Sequence, residues 1–371
     1  MMKKTALFAA ALMMFFLPAG CACAAASPEP SEKTIKRELK IGRKGAEAIE
    51  KQVPRVLDPA AEARLAMIAA KLTPYLQRDL EYSVRILDMK EPNAFALPGG
   101  RTYFTTGMLE FLKSEDEIAA VMCHEFIHAD RAHGIVQAKR NNRLTLLTIA
   151  GLVAATQAGG DSGAGIAAMA NGLQTALMNS YSIELEKEAD ARGIDVLYKA
   201  GYNPAAMLTM MERMKVEKLK RAQYQMGIFQ THPEEEERVD AALKYLRDKG
   251  IEIQRKDVVQ SLKIKTDTVS GDARLYVDDA VLLSAPETEA SRKLFSELGE
   301  RLDSTLELEL APYDIKILGE KGSQSLVIRR KTILTEEELL PGMPPLAELR
   351  DRINDALNRS RRGNMLTDYF D

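Results

Sequence analysis

The spacing of apolar residues changes period several times along the chain. Between 59 and 72, Leu65, Ile68, Ala69 and Leu72 recur at three- and four-residue intervals, which predicts a helix with one apolar face. Pro59 suits its first turn, where a missing N–H is no loss. A helix with an alternating charged face is predicted over 33–52. YSVRILD at 82–88 reads as a strand, and NAFALPGGRTYFTTGML at 93–109 as a hairpin turning at Pro98, Gly99 and Gly100. A further helix is predicted from Ser114, which stands at capping-box spacing from Glu117, to about His133.

Two apolar runs follow, 144–158 and 165–179, with GGDSGAG between them. Both fall short of the roughly 18–20 residues that cross a bilayer, so buried or groove-lining helices are expected, with membrane insertion as the alternative. Helices are predicted over 181–199, stopping at Gly201, and after Asn203-Pro204 as N-cap and first position. Another follows His232-Pro233, where Glu234 to Glu237 place negative charge at the positive end of the helix dipole. From about 255 the texture changes. TLELEL (305–310), DIKIL (314–318) and SLVIRR (325–330) read as strands, and 287–303 and 345–359 as amphipathic helices.

The start of the chain follows a different rule. Lys3 and Lys4 precede an apolar stretch from Thr5 to Leu17, and CACAAAS follows. Residues 1–26 therefore read as a signal peptide cut after Ala26, with lipidation at Cys21 and a membrane anchor as the alternative. Either outcome implies export to the periplasm. Once that segment is removed, only Cys123 of the three cysteines remains, and no intrachain disulfide can form. A length of 371 residues allows two domains, and the net charge of -3 offers no electrostatic footprint for a nucleic-acid partner.

Candidate chemistry centres on His124-Glu125-Phe126-Ile127-His128. On a helix, residues four apart share a face, so His124 and His128 can grip one zinc ion. Glu125, beside the first ligand, is placed to take a proton from a water that the metal activates. A catalytic zinc site needs a third protein ligand and an open position. In metzincins that ligand is a histidine six residues after the second, but here Gly134 holds that place. His133 comes one residue early and points about 140° away from His128 on an ideal helix, so a structural role is expected for it. A carboxylate from a second helix is the other solution. Glu184, Glu186 and Glu188 in IELEKEAD are all candidates, and spacing alone does not choose among them. The i, i+4 relation of Glu186 and Asp190 allows one to ligate while the other hydrogen-bonds a ligand histidine. Tyr181, at a helix start, is expected to pack.

These residues resemble a family of gluzincin metallopeptidases that includes the CAAX-prenyl endopeptidase, the HtpX heat-shock peptidase, the mitochondrial Oma peptidase and the periplasmic BepA-type chaperone-proteases. The resemblance covers about 35–248 and rests on IGRKGAEAIEKQ, NAFALPGG, HEFIHADRAH, YSIELEKEADARG, AGYNPAAM and His232-Pro233 with Arg238. It implies an α+β, mainly α fold. A zincin-type helical domain with a small sheet would occupy 27–254, and the strands and helices beyond it, apart from the resemblance, read as a C-terminal α+β domain over 255–371. It implies one Zn2+ per chain, with Glu186 as the third ligand and Asp190 orienting a ligand histidine. It also implies that His232 comes near the zinc, to stabilise the oxyanion or block the open position, with Arg238 supporting its loop. Asn93, Ala94 and Phe95 would form an edge strand to which a substrate peptide adds. The implied substrates are unfolded or misassembled proteins of the cell envelope. A zinc-containing chaperone or scaffold with a self-blocked site is the alternative. Ile183 stands where the family often has a basic residue, and the C-terminal domain does not look like the helical repeats of the BepA-type branch.

Overall fold

The computed structural model describes residues 32–140, 181–220, 232 and 235–366. The signal segment, Cys21 and the apolar runs 144–158 and 165–179 lie outside the described residues. Among the described residues no helix is long and apolar enough to cross a membrane.

The chain begins with α1 (Glu32–Gln52) and α2 (Pro59–Leu72). Asp58 caps α2 by accepting from the N–H groups of Ala60 and Ala61, and its face of Leu65, Ile68, Ala69 and Leu72 is buried as the spacing requires. A three-stranded sheet follows, formed by β1 (Ser83–Leu87), β2 (Ala94–Ala96) and β3 (Arg101–Thr105) in the order β1-β3-β2. β1 runs parallel to β3, and β2 pairs antiparallel with it through the Gly99-Gly100 turn. Both glycines have φ above +90°, a conformation that a side chain would strain. The predicted hairpin ends earlier than expected. The Thr105 hydroxyl accepts from the N–H of Met108 and starts α3 (Thr106–Phe111) instead of prolonging the strand.

α4 (Glu115–Asp130) is the central helix, with every residue from Glu117 to Asp130 buried. Ser114 caps it by accepting from Glu117 N–H, but the reciprocal half of the capping box is missing. The Glu117 carboxylate instead accepts from Lys113 N–H, Thr209 and Arg213. The helix also stops before His133. Ala132 takes a left-handed φ of 52°, and α5 (His133–Arg140) starts as a separate helix after it. α6 (Ile183–Ala200), closed by left-handed Gly201, packs against α4. α7 (Ala205–Lys220) and α8 (Glu235–Asp248) complete the shell, and α9 (Arg255–Val258) is a short last turn.

Beyond this lie two antiparallel three-stranded sheets. The first contains β4 (Ile264–Val269), β5 (Asp272–Val277) and β6 (Ala280–Pro286), and the second β7 (Ile315–Leu318), β8 (Ser325–Ile328) and β9 (Lys331–Thr335). α10 (Glu289–Asp303) and α11 (Leu346–Gly363) pack on them. The fold class is thus α+β, mainly α. TLELEL is not a strand. Leu306, Leu308 and Leu310 are buried in alternation, yet the segment pairs with no neighbour. Arg361 satisfies the carbonyls of Leu308 and Leu310 from α11 in place of a ladder. The sheet at 264–286 was not anticipated.

Buried apolar side chains form one large cluster between Leu65 and Val258, a second between Val259 and Leu366, and a small third of Ala46, Leu87, Leu97 and Tyr103. Arg255 spans the first two. Its guanidinium bonds Glu212 of α7 at 2.6 and 2.9 Å and Glu309 at 2.5 Å.

Candidate metal centre

α4 holds His124 and His128 one turn apart, with their Nε2 atoms 3.0 Å from each other. Opposite them, α6 presents Glu186, whose Oε2 lies 3.4 Å from His124 Nε2 and whose Oε1 lies 3.5 Å from His128 Nε2. His232 enters from the segment before α8, with Nδ1 3.2 Å from His124 Nε2 and 3.0 Å from both Glu186 oxygens. Ligand atoms of these four buried residues all lie within 4.8 Å of one another.

Their environment fits a cation. Asp190 Oδ1 faces His124 Nδ1 at 3.0 Å, so the neutral ring carries its proton on Nδ1 and keeps a lone pair on Nε2. Burial would raise Asp190, but the Arg238 guanidinium and His124 hold it below the usual range. Burial would raise Glu186 too, but His232 and Arg238 hold it well below. Burial, reinforced by His124, drives His128 well below its ordinary value, so it is neutral. Burial alone would lower His124, but the carboxylates of Asp190 and Glu186 override it and push it up to about 9. Glu125 is raised by burial against the opposing pull of His232 and His124.

The charges point the same way. Among the described residues, three buried carboxylates, Glu125, Glu186 and Asp190, share the space with one buried guanidinium, Arg238. Fully ionised, they leave two negative charges uncompensated, a costly arrangement in a dry interior. The upward shifts of His124 and Glu125 run in the direction that reduces this excess. A divalent cation between the imidazole lone pairs and Glu186 supplies both charges from one point, and two His nitrogens with a carboxylate are a donor set suited to zinc.

Glu125 lies beside this cluster. Its Oε1 is buried without a hydrogen-bond partner and sits 3.3 Å from His232 Nε2. The carboxylate also accepts from the Ala96 backbone N–H, which ties β2 to the site. β2 is an edge of its sheet. Ala94 and Ala96 pair with Phe104 and Thr102, and Phe95 stacks on Tyr103 with ring centres 5.3 Å apart. Asn93 precedes the strand, its N–H donating to Thr105. The sequence-predicted strand is therefore placed next to the candidate base.

Arg238 does more than support a loop. It makes two bonds to Asp190, at 2.8 and 2.7 Å, and its Nη1 lies 2.8 Å from Glu186 Oε2. Among the three glutamates, Glu186 alone points to the imidazole pair. Glu188 is clamped outside by Arg131 and Arg192. Tyr181 packs as expected, but against the site itself, stacked on His128 with ring centres 3.9 Å apart and planes 16° from parallel.

His133 departs from expectation. The ideal-helix argument turns it away from His128, but the left-handed Ala132 breaks the helix and returns it. His133 Nδ1 lies 3.0 Å from His128 Nδ1, and the ring is buried. The left-handed position is an alanine and not a glycine, so nothing local in the sequence marks the break.

A profile described as Peptidase family M48 matches residues 59–246. The Beta-barrel assembly-enhancing protease of Escherichia coli (strain K12) is 27% identical over 218 residues, 56% of this chain and 44% of that protein. The Mitochondrial metalloendopeptidase OMA1 of Schizosaccharomyces pombe is 28% identical over 183 residues, 48% of this chain and 51% of that protein. OMA1 of Arabidopsis thaliana is 31% identical over 135 residues, 36% of this chain and 26% of that protein. The chain thus spans about half the length of the first two.

Proposed function

Because the chain belongs to peptidase family M48, we propose that it is a zinc-dependent endopeptidase holding one zinc ion through His124, His128 and Glu186. The observation that carries this reading is the convergence of two imidazole Nε2 atoms and one buried carboxylate beside Glu125. When bound, zinc acts as a Lewis acid on the scissile carbonyl and lowers the pKa of the attacking water.

The remaining work falls to side chains of this chain. Glu125 is the general base. It takes a proton from the attacking water and hands it to the leaving amine, and its burial raises its basicity towards that task. Asp190 fixes the His124 tautomer, and Arg238 fixes Asp190 and Glu186. His232, with Nε2 3.3 Å from Glu125, donates to the oxygen that gains charge. An extended substrate adds to the outer edge of β2 at Asn93, Ala94 and Phe95. Main-chain bonding of this kind makes sequence preference loose, as suits unfolded or unassembled proteins. The signal-like first 26 residues support action in the periplasm, with an anchor at Cys21 as one form of it. A relative named for beta-barrel assembly fits substrates of the cell envelope.

Glu125→Gln tests the reading. The variant should take up zinc normally and lose casein hydrolysis by about 100-fold or more. Unchanged cleavage would remove Glu125 from the chemistry.

A second reading rests on His232 Nδ1, which lies among the ligand atoms. As a fourth ligand it would close the site and leave a zinc-containing chaperone or scaffold with little proteolysis. His232→Ala separates the two, since hydrolysis falls if His232 serves the oxyanion and rises if it blocks the site.

A further inference from the structure

We propose that His133 is a positioning residue that fixes the tautomer of His128, through a chain running from Glu188 to His133 to His128. This rests on the metal-site reading above.

A neutral imidazole that ligates through Nε2 must carry its proton on Nδ1. His128 turns its Nε2 towards His124 and Glu186, so its proton belongs on the opposite nitrogen. That nitrogen faces His133 Nδ1 at 3.0 Å. Two Nδ1 atoms at this distance share one proton between them. With the proton on His128, His133 Nδ1 must accept it and carry its own proton on Nε2. His133 Nε2 is turned to Glu188 Oε2, 3.6 Å away, which is too long for a hydrogen bond but favourable for a carboxylate facing an N–H dipole. Glu188 is held there by Arg131 at 3.0 Å and Arg192 at 2.7 Å.

The two ligand histidines are therefore supported differently. His124 has a carboxylate, Asp190, directly behind it. His128 has a neutral ring, with the carboxylate one step further out and in contact with solvent. Tyr181 stacks on the face of His128 and limits its rotation, while His133 sets which nitrogen is free to bind. The left-handed Ala132 is what brings His133 into place, an unfavourable backbone conformation for a residue with a side chain and one retained beside a site.

The test compares His133→Phe, which keeps a ring and removes the acceptor, with His133→Asn, whose Oδ1 takes the place of His133 Nδ1 and can still accept from His128 Nδ1. Zinc affinity is read by competition with a chromogenic chelator, and the unfolding midpoint of each metal-free variant is measured alongside. His133→Phe should lose zinc affinity by about 10- to 100-fold, and His133→Asn should recover most of that loss. Wild-type affinity in His133→Phe overturns the inference, as does equal loss in both variants. A measurement on the wild type needs no variant to fold. Long-range proton–nitrogen NMR of the zinc-loaded chain should show His133 Nδ1 unprotonated and Nε2 protonated, and the reverse assignment overturns the inference. A wild-type chain that takes up no zinc overturns the metal-site reading and this inference with it. Undiminished affinity in His133→Phe overturns this inference alone.

Discussion

Arg238 grips Asp190 through two bonds, Nε to Oδ2 at 2.8 Å and Nη2 to Oδ1 at 2.7 Å, with both side chains buried. The same guanidinium reaches Glu186, so one cation from α8 holds two carboxylates of α6. Replacing Arg238 with Leu strands both acids in a dry interior. The metal-free protein should lose about 3–5 kcal/mol of stability in denaturant unfolding. Arg238→Lys keeps the charge but not the two-point geometry, and should fall between wild type and Arg238→Leu. A Leu variant as stable as wild type would show that the carboxylates find other partners.

Metal should act as a folding ligand. Zinc brings to the cluster the positive charge that otherwise favours protons on His124 and Glu125. Free zinc about a thousandfold above its dissociation constant should add about 4 kcal/mol. Thermal melts across a zinc series should rise accordingly, and a strong chelator should reverse the rise. Magnesium, which favours oxygen ligands, should give no comparable shift. Equal responses to both ions would point to nonspecific charge screening.

Gly42 offers a case in which packing and helix propensity oppose each other. It lies inside α1, where alanine would ordinarily gain about 1 kcal/mol. A Cβ there would be driven into the Pro98 carbonyl oxygen at the β2–β3 turn. Gly42→Ala should therefore destabilise, by about 1–3 kcal/mol in denaturant unfolding. A stabilised variant would show that α1 does not press on that turn.

Glu307 should make stability depend on pH. Burial lifts its carboxyl to about 7, against the weaker opposing pull of Lys256. In the unfolded chain the group titrates near its ordinary value of about 4.3. Between those values the folded chain holds a proton that the unfolded chain releases, so stability falls as pH rises through this window. The penalty is complete above about pH 7. Glu307→Gln should stabilise the protein at pH 8 by about 1 kcal/mol, well under the full value of the shift because water screens part of the group. At pH 4 it should change little. Equal gains at both pH values would rule out titration as the cause.

The helices that position the site were legible because their apolar residues keep a regular period. α2 and α6 lie within about two residues of where the spacing put them. That His124 and His128 meet on one face of α4 followed from their four-residue spacing. Glu186 did not follow from spacing, because Glu184 and Glu188 fit the same acidic run, and only packing against α4 separates them. Three features escaped for physical reasons. His133 was misplaced because an alanine adopts a backbone angle that sequence does not mark. TLELEL has strand alternation but no strand partner, and an arginine from a distant helix completes its carbonyls. The resemblance ties Arg238 only to its own loop, and its grip on Asp190 and Glu186 is illegible in the sequence because those partners lie 48 positions or more away.

Arg255 changes how the C-terminal third should be regarded. The texture of the sequence invites a cut after residue 254, yet the next residue is the partner of Glu212, which is buried in α7 against the central helix. A fragment ending at 254 would leave that acid without its counterion. Excising the appendage would thus resemble a charge-deleting point mutation inside the proposed peptidase unit, and any loss of zinc uptake or cleavage by such a fragment would report on α7 before it reported on what the appendage binds.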